Sequence, residues 1–288
     1  MSSDKQKTQR RHVGQYVSSG DWSDYWTTKI SHAQNGKINV RGYPVEELIE
    51  NLPYSQSAYL LLTGELPDKR QAALFDLVLR SGMDQQFISA AVGAARFTAS
   101  AFPESAIPAL ASGMLASGSV TGSPQQPAEM LMESVNADPN DDSGSKQSIT
   151  LWLQRSGAIP GLGHPLHKQG EPRAITVRRL AMELEGWGPH GQRLDAIEKE
   201  LELRKNKPIP INLAGAIGAI LADLEFDLLI IGGLGALAYG MSLLAHITEE
   251  IREGVPLRII PDQLGAHYAG PKERHLEERH LKQESDES

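Results

Sequence analysis

Residues 159–173 read IPGLGHPLHKQGEPR. Three glycines and the prolines around His164 cannot continue a helix, so this stretch is a turn whose amides and imidazole face one side. It stands between segments that do read as helices, and so marks the place where a helical fold is interrupted for chemistry. A histidine on such a turn has an unperturbed pKa near neutrality and suits general acid or base work. Arg173 opens the next helix behind Pro172. There it either presents a guanidinium to a carboxylate or phosphate or is an ordinary charge at a helix start.

Working outward, apolar residues recur at helical spacing over most of the chain. The run Val45 to Leu62 predicts two helices broken at Pro53, with Ser55 as N-cap of the second. Further helices are expected over 69–80, 86–99, 106–119, 149–156, 173–185, 192–204 and 211–222. Asn136 to Gln147 (NADPNDDSGSKQ) is the best internal loop. Only Lys37 to Arg41 looks like a strand, so the class is mostly all-α.

Leu228 to Ala245 (LLIIGGLGALAYGMSLLA) is 18 residues without a charge, the lower edge of a membrane-spanning length. Acidic residues before and after it, with no aromatic belt and no excess of Lys or Arg, argue against insertion. The expected element is a helix buried on all sides, with a subunit interface as one covering.

The 288 residues contain no cysteine, and 28 Lys plus Arg face 36 Asp plus Glu, a net charge of -8. Disulfide scaffolds, thiolate metal sites and cysteine nucleophiles are excluded. The acidic balance argues against nucleic acid held through phosphates. His190, His246, His267, His275 and His280 lack metal-site spacing, so no metal is expected. The polar start carries no apolar leader, and the cytoplasm is the expected compartment.

The segment GLGHPLHKQGEPRA resembles the signature of the citrate synthase superfamily, in which a Gly-x-Gly-His turn precedes an Asp-Pro-Arg triplet. The stretches YWTTKIS and INVRGYPVEELIENLPYSQSAYLLLTGELP resemble that superfamily's opening. KPIPINLAGAIGAILADL and LLAHITEEIREGVPLRIIPDQLGAHYAGPKERHL are similar to the short citryl-CoA lyases and lyase-like members.

This resemblance implies a citrate synthase-like fold, a homodimer in which a large helical domain is joined by a smaller one closing over the active site. The large domain is expected over 22–122 and 225–270 and the small one over 123–224, with a loose polar N-terminus over 1–21 and a charged tail over 271–288. It also implies chemistry at a carbon-carbon bond beside a coenzyme A thioester. Coenzyme A then enters as part of the acyl-CoA substrate, and no tightly bound cofactor is expected.

Carried over residue by residue, His164 matches the histidine of the turn and Arg173 the arginine that grips a carboxylate. Pro160, Gly161, Leu162 and Gly163 match backbone that cradles the CoA adenine, with Lys168 adding positive charge nearby. Other positions depart. Thr121 stands where the family has an enolate-binding His. In Asn212-Leu213-Ala214-Gly215, Ala214 stands where the family has a catalytic Asp. Gln85 falls where an oxo-acid-binding His is expected, and Tyr239 where a carboxylate-binding Arg is.

Condensation needs a base at a weakly acidic carbon, and Ala214 supplies none. Retro-aldol cleavage starts from a hydroxyl proton, which His164 can take, with the Thr121 hydroxyl as a donor to the enolate. The expectation is therefore a lyase cleaving a 3-hydroxyacyl-CoA with about one carboxylate, held by Arg173, rather than citryl-CoA. The alternatives are a non-catalytic binder of CoA esters or partner subunit, and a citrate or methylcitrate synthase-type condensation.

Overall fold

A computed structural model describes residues 11–118, 122–141, 143–265 and 267–276. A short helix α1 (Val13–Ser19) precedes a three-stranded antiparallel sheet of β1 (Ser31–Gln34), β2 (Lys37–Val40) and β3 (Tyr43–Pro44) in the order β1-β2-β3. Among the described residues the elements after it are helices: α2 (Val45–Asn51), α3 (Tyr54–Thr63), α4 (Lys69–Ser81), α5 (Ala90–Ala101), α6 (Ala106–Leu115), α7 (Gln125–Ala137), α8 (Gly144–Ser156), α9 (Pro172–Glu183), α10 (Pro189–Lys205), α11 (Leu213–Asp223), α12 (Leu228–Ala238) and α13 (Gly240–Glu253), followed by a 3-10 turn at Asp262–Leu264.

Helix starts follow local chemistry. Asp68 and Gln71 form a reciprocal capping box on α4, while Ser89, Ser105 and Asp227 cap α5, α6 and α12. Pro172 and Pro189 occupy the first turns of α9 and α10, where an absent amide hydrogen costs nothing.

Two hydrophobic clusters hold these helices. The larger draws side chains from α3, α4 and α7 to α12, with Tyr59, Phe75 and Phe226 in mutual ring contact within it. The smaller joins α5, α6 and α13 around Val92, Ala95 and Leu243. Small residues let the helices close in. An added Cβ at Gly113 would lie 2.9 Å from Leu243.

Several expectations are corrected. Order begins before Trp22, because the buried Tyr16 of α1 packs its ring on Trp22 and Tyr25. Pro53, not Ser55, occupies the N-cap of α3, since its extended backbone already aims the chain into the helix. β1 and β3 flank the expected strand. The uncharged run is not one helix buried on all sides. It is divided at Tyr239 between α12 and α13, and Leu229 and Met241 are 81% and 76% exposed. Leu228–Glu253 as a whole still has the length and apolarity of a membrane-crossing segment.

Candidate functional site

The turn after α8 is tied down by the strand-like segment before α11. Leu162 and Ile211 form an isolated antiparallel bridge. The Gly163 amide donates to the Pro210 carbonyl at 2.7 Å and the Asn212 amide to Gly161 at 3.0 Å. Gly161 and Gly163 hold φ values of 84° and 77°, a left-handed backbone that residues with a Cβ rarely adopt. Gly161 also lies against Gly215, where an added Cβ would come within 2.8 Å of the Gly215 Cα.

This frame fixes His164. Its Nδ1 accepts hydrogen bonds from the amides of Leu166 (3.1 Å) and His167 (3.2 Å). A nitrogen that accepts carries no proton, so the hydrogen of the neutral ring sits on Nε2. Burial pushes the His164 pKa below the ordinary imidazole value. Glu171 opposes that shift, and His167, Arg173 and Lys168 reinforce it. The ring is therefore a neutral donor at physiological pH. The proton-accepting role expected from the sequence is not the one this geometry favours, because the lone pair faces the backbone.

Glu171 and Arg173 form the second feature. The Glu171 side chain is buried, and its Oε1 accepts from Arg173 Nε at 2.7 Å and pairs with Nη2 at 2.5 Å. Its Oε2 takes the Leu213 amide at 2.9 Å, joining α9 to the start of α11. Arg173 Nη1 donates to the Asp84 carbonyl at 2.7 Å. The arginine expected to meet a ligand carboxylate already has one beside it.

His164, Glu171, Arg173, Gln85, Asn212 and Ala214 come together around one cavity of about 430 Å³, with Gln86, Ser89 and Gly122 also on its walls. Gly163 joins them, but Pro160, Gly161 and Leu162 do not line this cavity; Leu162 packs on the larger core. Lys168 lies off the cavity and donates to the His164 carbonyl at 3.0 Å. Tyr239 is 5% exposed inside the smaller cluster rather than on the cavity wall, which corrects its assignment as a substrate contact: where α12 meets α13 its ring turns inward. Thr121 falls outside the described residues.

Sequence reasoning missed Gln86, Ser89 and the bracing role of Asp84. The Asp84 carboxylate accepts from Ser242 Oγ at 2.7 Å and lies 3.4 Å from His246 Nε2, which anchors the loop bearing Gln85 and Gln86 to α13. Glu171 was legible in the Glu-Pro-Arg triplet, but its pairing with Arg173 and with the Leu213 amide was not. Among the described residues, no group of three or more His, Cys, Asp or Glu side chains is placed to hold a metal ion.

A helical fold built around such a turn defines a class, and the chain belongs to the citrate synthase family. The family model for the citrate synthase C-terminal domain matches residues 24–94 and 68–260. Within that family the chain is similar to the citryl-CoA lyase of Hydrogenobacter thermophilus, at 28% identity and a TM-score of 0.81, over 89% of this chain and 99% of that one. It is also similar to the citrate synthase of Deinococcus radiodurans, 27% identical over 229 residues. That match takes in 78% of this chain but only 58% of that protein. The ATP citrate lyase of Methanosaeta concilii, solved in complex with (3S)-citryl-CoA, shares the fold at 20% identity and a TM-score of 0.73, over 92% of this chain and 45% of that one.

Proposed function

We propose that the chain is a lyase acting on a coenzyme A thioester, cleaving the carbon-carbon bond of a 3-hydroxyacyl-CoA by a retro-aldol step. The observation that carries this reading is the tautomer of His164 on the cavity wall. A neutral imidazole with its hydrogen on Nε2 lines a cavity in which polar side chains and hydrocarbon walls meet. The likeness to a citryl-CoA lyase over nearly all of that protein supports the same class of chemistry.

In this mechanism the C3 hydroxyl loses its proton to solvent water while His164 Nε2–H donates to the developing alkoxide. The C2–C3 bond then breaks, the oxygen becomes a carbonyl, and the electron pair passes to the thioester as an enolate. Gly122 lies on the cavity wall, and its amide, or the Thr121 hydroxyl beside it in the sequence, is the donor proposed for that enolate, while water returns a proton to its carbon. Preorganised donors of this kind typically contribute about 10²–10³ in rate. The Ala214 methyl on the wall supplies neither a base nor an acid at the α-carbon in either direction, so the preference for cleavage over condensation is supported by the likeness to a citryl-CoA lyase.

The same methyl group favours a second reading, a homodimer that binds CoA esters without turnover. Incubating the protein with a panel of 3-hydroxyacyl-CoAs and following products by mass spectrometry separates the two. The lyase should release a shorter thioester with an aldehyde or ketone, and His164→Ala should abolish that release. Full activity in that variant would sink the mechanism. A raised melting temperature with CoA esters and no turnover would establish the binder.

A further inference from the structure

A C3 hydroxyl bound in this cavity has two hydrogen-bonding needs. Its oxygen accepts from His164 Nε2–H in the proposed mechanism, and its hydrogen needs an acceptor. His164 cannot serve twice, because its other ring nitrogen is taken by the Leu166 and His167 amides. The side-chain acceptors on the described cavity wall are Glu171, Asn212, Ser89, Gln85 and Gln86. Three of these are engaged. Both Glu171 oxygens are taken, by Arg173 and by the Leu213 amide, and the side chain is buried. Asn212 Oδ1 accepts from the Gly215 amide while its Nδ2 donates to the Gly163 carbonyl. Ser89 Oγ accepts from the Ala91 amide at 3.2 Å as the cap of α5. Gln85 and Gln86 remain, and among the described residues neither carboxamide has a hydrogen-bond partner.

Backbone geometry separates the two. Gln86 holds a φ of 67°, a left-handed conformation that residues with a Cβ adopt at a cost. Its backbone makes two hydrogen bonds: the amide donates to the Asp84 carboxylate, and the carbonyl accepts from the Ser89 amide at 3.1 Å. Neither involves the side chain, so a glycine would make both without strain. Strain held at a cavity wall, under a side chain that has no protein partner, points to a side chain that meets a ligand. Gln86 and Arg173 also line a second cavity of about 490 Å³ between α4 and α9. The wall of that second cavity includes the exposed Met83 and Arg80, so solvent reaches the same side of Gln86.

We propose that the Gln86 carboxamide oxygen accepts the hydrogen of the substrate's C3 hydroxyl, and so selects 3-hydroxyacyl thioesters over their deoxy counterparts. The proposal rests on the reading of the chain as a protein that takes 3-hydroxyacyl-CoA. A carboxamide does not ionise near neutrality, so Gln86 positions the hydroxyl, and the proton itself leaves to water from the side of the second cavity.

The test compares the two enantiomers of 3-hydroxybutyryl-CoA, each taken separately, with butyryl-CoA and free CoA. Binding is read by calorimetry, with mass spectrometry of the mixtures to account for turnover. The thioesters differ only in the C3 hydroxyl. The wild-type chain should bind one enantiomer about three- to tenfold more tightly than butyryl-CoA. Equal binding, or a preference for butyryl-CoA, overturns the proposal while leaving the CoA-thioester reading intact. If neither thioester nor CoA binds, the parent reading falls and this proposal with it.

Two variants then assign the preference to its residue. Gln86→Gly removes the carboxamide and relieves the left-handed backbone. Its preference for the hydroxyl should disappear, with CoA affinity as the internal reference, and its unfolding midpoint in urea should be no lower than that of wild type. Gln86→Leu keeps the size of the side chain without the acceptor and should lose the preference as well. A preference that survives in Gln86→Gly gives the hydroxyl to another group and overturns the proposal. A midpoint that falls together with the preference makes Gln86 a structural residue and overturns it too. Should Gln86→Leu fail to fold, Gln86→Gly alone decides.

Discussion

The side-chain amide of Asn212 donates to the Gly163 carbonyl at 2.8 Å, fastening the residue before His164 to the first turn of α11. The same side chain caps that helix, with its Oδ1 accepting from the Gly215 amide at 3.0 Å. One residue thus joins the glycine turn to the helix behind it. Asn212→Ala should lose about 1–2 kcal/mol of stability in urea unfolding, from an absent cap and an unpaired carbonyl. Asn212→Asp keeps the cap acceptor but sets an oxygen against the Gly163 carbonyl. It should stay folded, with weaker thioester binding. An Asn212→Ala protein as stable as wild type would show that the turn holds itself.

The contact between Gly161 and Gly215 makes a second prediction. A Cβ on Gly215 would overlap the Gly161 carbonyl oxygen, and neither side of that contact is a side chain able to move away. Gly215→Ala should destabilise by about 1–3 kcal/mol. Gly93, inside α5, has open space around its Cβ position, so Gly93→Ala should stabilise by roughly 0.5–1 kcal/mol through helix propensity. If Gly215→Ala left the unfolding midpoint unchanged or raised it, the close approach would not be limiting.

His164 predicts a pH dependence. Its folded pKa lies below the ordinary value of 6.5, chiefly through burial, so between those two values the unfolded chain binds a proton that the folded chain refuses. Stability therefore declines as pH falls below 6.5 and levels off below the folded pKa. His164→Gln removes this contribution. The wild-type minus variant difference, taken by chemical denaturation from about pH 7.5 to about pH 5, should shrink as the pH is lowered. A difference that grew would mean that the ring gains a proton on folding, and the Nε2–H assignment would be wrong.

Most helices were legible because amphipathic spacing is a local property. The stretch expected at 69–80 is α4 within one residue, and α9 and α11 lie close to their expected ranges. The missed strands carry little local signal: Ser31–Gln34 lacks alternating β-branched residues, and Tyr43–Pro44 is held by its pairing with Asn39 and Val40. Hydropathy could not divide the run from Leu228 at Tyr239, because no charged residue interrupts it before Ala245. For the site, the turn, His164 and Arg173 were readable as a motif. The direction of the His164 lone pair and the closure of Glu171 onto Arg173 depend on side-chain torsions, which spacing does not encode. Tyr239 was placed at the site by counting along the chain, but its direction is set by packing with Val92 and Leu243.

Asp84 offers the last prediction. Burial raises its pKa, but the Ser242 hydroxyl, the Gln86 amide and His246 together outweigh that and hold the carboxyl below its ordinary value of 3.8. A depressed carboxylate contributes stability that is present above 3.8 and lost as pH falls through the lower folded value. The side chain is 48% exposed, so solvent screening limits the effect to no more than about 1 kcal/mol. Asp84→Asn should therefore be mildly destabilised at neutral pH, and its deficit against wild type should disappear in acid below that range. On the proposed function the consequence for binding should be larger than the energetic one, because the Asp84 backbone holds Arg173 and its side chain anchors the loop of Gln85 and Gln86 to α13. Thioester affinity in Asp84→Asn should fall further than stability does. Ser242→Ala, which removes a single donor to the same carboxylate, should show a smaller loss in the same direction. If thioester affinity were unchanged in both variants, the loop would be held by other contacts and the bracing role of Asp84 would be lost.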